Sequence, residues 1–136
     1  MLKKSIKFTD YNGVERDETY YFNLSKAEIM EMEMSTVGGF AEMVEKVVAA
    51  QDAPTIIAIF KDLILKAYGE KSPDGKRFMK VNNGVRLADA FAETEAYSSL
   101  FIELATDADA AAAFVNGIVP ADMAKEVNQS KLVPLG

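Results

Sequence analysis

The sequence predicts an α+β protein: an N-terminal β-hairpin packed on a mainly α-helical domain of about five to six helices. Three observations carry this. Ile6 and Phe8 alternate with Lys7 and Thr9 and lead through Asp10-Tyr11-Asn12-Gly13 to a β-forming run. Ser25 stands three residues before Glu28, the spacing of a helix capping box. Beyond it, apolar residues recur at three- and four-residue intervals, broken by glycine and proline. A chain of 136 residues and 14.9 kDa suits one domain. That domain is expected over residues 1–120, with a flexible C-terminal tail at 121–136.

The hairpin is expected within residues 3–22. Asn12-Gly13 marks its turn, because both residue types tolerate positive φ. Thr19, Tyr20, Tyr21 and Phe22 give the return strand its β-formers. A lone hairpin is marginal in water, so one face must lie on helices, and its free edge could pair with another copy. Helices are expected over about 26–116. The first runs from Lys26 to about Met34, with Leu24 and Ile29 placed as a hydrophobic staple around the cap. Gly38-Gly39 should end it. A second, Phe40 to Ala50, places Phe40, Met43, Val44, Val47 and Val48 on one stripe.

Pro54 suits the first turn of a third helix, whose apolar surface runs through Ile56, Ile57, Phe60, Leu63 and Ile64 to Tyr68. Its breadth marks it as central to the core, with Gly69 as its stop. The basic stretch Lys71 to Arg77 contains Pro73-Asp74-Gly75 and reads as a turn-forming connector. Asn82-Asn83-Gly84 is a second break. Short helices follow from Val85 to Phe91 and from Glu95 to Leu104. A last one, capped by Thr106 or Asp107, covers Ala108 to Asn116 and ends at Gly117 and Pro120.

Composition excludes much chemistry. The chain has no cysteine and no histidine, which removes disulfides, thiolate nucleophiles, histidine triads and histidine-ligated metals. Fifteen basic against 21 acidic residues give −6, so a nucleic-acid surface is not expected. No apolar run approaches the roughly 18 residues of a membrane span, and no secretory leader is expected, so the cytosol is the default location. No cofactor, metal or catalytic residue is expected.

The charge is uneven. Residues 25–54 carry two basic and six acidic side chains, 55–81 carry six and three, and 82–119 carry one and six. Such an acidic–basic–acidic layout favours protein partners or contact between copies. The carboxylates of the first helices read as solvated faces, and Asp107 with Asp109 as a cap and a first-turn acid rather than a calcium loop. Lys71, Lys76, Arg77 and Lys80 read as a solvated basic loop. Met30, Met32 and Met34 alternate at two residues and so cannot share one helical face. Core filling accounts for part of this cluster. With Phe40 and Met43 it is also the candidate partner-binding surface, since methionine adapts to varied apolar segments.

Several blocks together resemble a known family. They are Asp10-Tyr11-Asn12-Gly13-Val14, Phe22-Asn23-Leu24-Ser25-Lys26-Ala27-Glu28, and Tyr68-Gly69-Glu70-Lys71-Ser72-Pro73-Asp74-Gly75-Lys76-Arg77-Phe78. Thr94-Glu95-Ala96-Tyr97, Leu104 to Ala111, and Phe114-Val115-Asn116-Gly117-Ile118-Val119-Pro120 continue the likeness. Over about residues 3–120 the chain resembles the siphophage and prophage tail assembly chaperones. The resemblance implies a non-enzymatic protein of the bacterial host cytoplasm. It would bind the tape measure protein and keep it soluble while tail tube subunits assemble around it, and be absent from the mature virion. It also implies the short form of a frameshifted pair, with homo-oligomers, the longer form and possibly the tail tube protein as partners. The alternative is a structural tail or head–tail joining protein retained in the virion.

Overall fold

A computed structural model describes residues 1–35 and 53–120. The helix expected over 40–50 and the tail at 121–136 lie outside the described residues. Within them the protein is α+β, with an N-terminal antiparallel hairpin and five helices.

Strands β1 (Leu2–Thr9) and β2 (Glu15–Phe22) pair antiparallel along their whole length, from Leu2 opposite Phe22 to Thr9 opposite Glu15. Alternation turns Leu2, Ile6 and Phe8 toward the core and leaves Lys3, Ser5 and Lys7 exposed. The turn differs from the expected one. Gly13 takes φ 77°, but Asn12 does not enter the positive region. Asp10 is the reason. Its carboxylate accepts the backbone N–H groups of Asn12 and Val14, each at 2.9 Å, and Arg16 Nε at 2.5 Å. The Arg16 contact, helped by these amides, holds the Asp10 carboxyl below its usual range.

Helix α1 (Lys26–Ser35) starts as the sequence predicts. Ser25 Oγ accepts the Glu28 amide at 3.1 Å, and Glu28 Oε1 accepts the Ser25 amide at 2.9 Å. Leu24 and Ile29, the staple pair, are both fully buried. Helix α2 (Ala53–Ala67) buries Phe60, Leu63, Ile64 and Ala67, a 3.6-period stripe.

Here the sequence reading needs correction. Gly69 does not cap α2. The chain passes directly into β3 (Tyr68–Lys71), which pairs with β2 through Tyr68 opposite Phe22 and Gly69 opposite Tyr21. Strand β4 (Phe78–Met79) pairs with β3, so the hairpin grows into a four-stranded sheet in the order β1-β2-β3-β4. Glycine is required at 69 by close approach. A Cβ there would stand 2.6 Å from both the Met79 carbonyl oxygen and the Phe78 ring. The basic connector is therefore a hairpin turn. It is ordered by buried Ser72, whose Oγ donates to Asp74 at 2.6 Å and accepts the Arg77 amide at 3.0 Å.

A second small hairpin follows, β5 (Val81–Asn82) with β6 (Val85–Arg86). Its turn residues Asn83 and Gly84 both have positive φ, 52° and 77°. The helix expected from Val85 consequently starts two residues later as α3 (Leu87–Phe91). Thr94 caps α4 (Glu95–Thr106) by accepting the Tyr97 amide, and Asp107 caps α5 (Ala108–Ile118) by accepting those of Asp109 and Ala110. Gly117 does not end α5. A Cβ at 117 would stand 2.8 Å from Leu2 Cδ1, so this glycine lets the last helix lie against the first strand.

One hydrophobic cluster joins the inner sheet face to all five helices. Its centre is aromatic. Phe91 stacks on Tyr68 with centroids 4.2 Å apart and planes 5° apart, and meets Tyr20, Phe22 and Tyr97 at 5.2–5.9 Å. Among the described residues, no helix is long and apolar enough to cross a membrane.

Candidate partner-binding surfaces

The methionine trio divides as its spacing requires. Met32 is 4% exposed and belongs to the core, whereas Met30 and Met34 are 64% and 84% exposed. Successive positions on α1 turn 100°, so residues two apart face nearly opposite ways. Met30 and Met34, one turn apart, are thus the two members of the trio available at the surface. Phe40 and Met43 lie outside the described residues.

A second apolar surface lies between α2 and α4. Ile57, Tyr97, Phe101 and Ile102, with Lys61, Ala92 and Ser98, line a shallow groove of about 390 Å³. Ile57 is 47% and Ile102 61% exposed. Sequence reasoning missed it for identifiable reasons. In the sequence Ile57 merges into the broad apolar surface of α2, yet it is displaced from the centre of the buried stripe toward Lys61. Ile102 sits two residues from both Leu100 and Leu104, which places it on the opposite side of α4 from the buried stripe. An isoleucine out of phase with its helix stripe was the available signal.

The basic residues do not act as one surface. Lys80 turns inward, with Nζ donating to the carbonyl of Asn23 at 2.9 Å, to the carbonyl of Lys66, and to Glu28 Oε2 at 3.2 Å. It ties the end of α2 to the start of α1, where the helix dipoles favour a cation and an anion respectively. Burial draws its pKa below the ordinary lysine value, and the Glu28 charge opposes that shift. The ammonium also lies 5.5 Å from the Phe78 ring centre. Lys80 is therefore a structural tie and not part of a solvated loop.

Among the described residues, no group of three or more His, Cys, Asp or Glu side chains is arranged to hold a metal ion. The described residues present a scaffold with side-chain caps on α1, α4 and α5 and exposed apolar side chains on α1 and between α2 and α4. The chain belongs to the phage tail assembly chaperone family, whose model matches residues 1–133. No curated protein and no solved structure matches it.

Proposed function

We propose that this chain binds the tape measure protein and keeps it soluble while tail tube subunits assemble around it. Membership of the tail assembly chaperone family over 1–133 is the observation that carries the reading. The exposed Met30, Met34, Ile57 and Ile102 support it, because a holding protein needs apolar surface beyond what its own core consumes. The work is binding and not catalysis. It takes place in the host cytoplasm, with other copies and a longer frameshift form as companions, and the protein leaves before the virion is complete.

Co-expression tests this directly. The tape measure protein should stay in the soluble fraction and co-purify when this chain is present, and precipitate when it is absent. Equal solubility in both cases overturns the proposal. Mass spectrometry of purified virions should find the tape measure protein without this chain. Stoichiometric retention would instead support a structural tail or head–tail joining role.

A further inference from the structure

Among the grooves that the described residues form, the one between α2 and α4 is lined from two helices, whereas two others lie along the sheet. Its apolar residues are contiguous, unlike the singly exposed Val14 or Val81. Among the described residues, Lys61 is the one charged side chain lining it, and none of them pairs with that ammonium. Its neighbour Asp62 faces Lys66 at 3.5 Å instead.

We propose that this groove docks one amphipathic helix of a client protein, with an apolar stripe against Ile57, Phe101 and Ile102 and a carboxylate opposite Lys61. The inference rests on the chaperone reading above and names the surface that performs it. Geometry selects a helix, since a cleft between two packed helices accepts the ridge of a third. The wall from Ile57 to Lys61 is about 6 Å long and that from Tyr97 to Ile102 about 7.5 Å, at 1.5 Å per residue. Such a footprint matches roughly one to one and a half turns of a single helix.

Size also decides against a second copy as occupant. Seven of the described residues line the groove, far fewer than the roughly 20–30 a side of a stable protein–protein interface, so the groove by itself is too small to hold two copies together. One helix held this way binds weakly, and retention of a long client comes from many copies acting together. Weak single contacts also allow the chaperone to be displaced as assembly proceeds.

The test uses the full chain co-expressed with the tape measure protein. Ile102→Asp should leave thermal stability unchanged and reduce co-purified client about tenfold, because the side chain is mostly exposed and lines the groove. Lys61→Glu should reduce it about threefold without affecting folding. Overlapping 15-residue peptides of the tape measure protein, titrated by fluorescence anisotropy, should bind best when an apolar helical stripe is flanked by acids. Lys61→Glu should reverse that preference toward lysine-flanked peptides. Wild-type chain that retains no client overturns the functional reading and this inference together. Retention by wild type and Ile102→Asp alike overturns the groove alone. A concentration-dependent dimer in sedimentation equilibrium that Ile102→Asp dissolves would make a second copy the occupant, and also overturn it.

Discussion

Phe91 and Ile102 lie in consecutive helices and are comparably apolar, yet one is 2% exposed and the other 61%. Around Phe91, rings from β2, β3 and α4 close into a packed cluster. Around Ile102 the same helix presents apolar carbon to water. Tyr97 and Phe101 belong to both regions, half-buried, in ring contact with each other at 6.0 Å. The difference separates apolar side chains that the core consumes from those it leaves in water: Ile57 and Ile102 are exposed, while Tyr97 and Phe101 also pack against the core. Exposed apolar carbon of this kind is what a binding role uses.

The contrast can be broken from the inside first. Phe91→Ala should cost about 3–5 kcal/mol, since it empties the centre of the cluster and removes four ring contacts at once. Chemical denaturation would read it, and a loss under about 1 kcal/mol would mean the rings are not the main tie between sheet and helices. Met32→Ala should cost about 2–5 kcal/mol, while Met34→Ala on the same helix should change stability by no more than about 0.5 kcal/mol. Equal effects would contradict the division of the trio. Lys80→Met keeps the stem but leaves the carbonyls of Asn23 and Lys66 without their donor, a cost of about 1–3 kcal/mol.

How far the sequence could anticipate this architecture depended on how local the cause was. The capping box, the staple and Asp107, one of the two caps the sequence offers, are set by residues within one or two turns, and each stands where the sequence puts it. Gly69 and Gly117 failed for the opposite reason. Both look like helix stops, yet what demands glycine is a partner far along the chain or across a turn, Phe78 and Met79 in one case and Leu2 in the other. The two Asn-Gly pairs teach the same lesson. Asn83-Gly84 adopts the two-residue turn the pair favours, whereas Asp10 captures the amides around Asn12 and imposes another. Lys80 reads as a surface charge until the fold brings three acceptors to it. The groove belongs to two helices separated by two hairpins and a short helix, and only their packing could reveal it.

The subtlest probe of the boundary between the two regions is alkaline titration. Burial, aided by Glu18, pushes the Tyr20 hydroxyl up to about 12, and burial raises Tyr68 and Tyr97 above the ordinary value of 10.0. A raised tyrosine pKa means the folded protein holds protons that the unfolded chain has released. The stabilisation is intact below pH 10 and is lost as pH climbs toward 12. Lys80 works the other way. Its lowered pKa lets the folded state shed a proton first, so its contribution improves as pH rises toward 10.5. Melting temperature should therefore hold or rise slightly up to about pH 10 and fall above it. Tyr20→Phe should flatten the fall, and Lys80→Met should remove the rise below it. Tyr20 is partly open to solvent, so water screens its effect, and the slope should be gentler than full burial would give. Tyr97→Phe should flatten it less, because Tyr97 faces the groove as well as the core. If Tyr97→Phe outweighs Tyr20→Phe, then α4 is more deeply buried than the groove requires, and the line between spare and structural apolar surface must be redrawn.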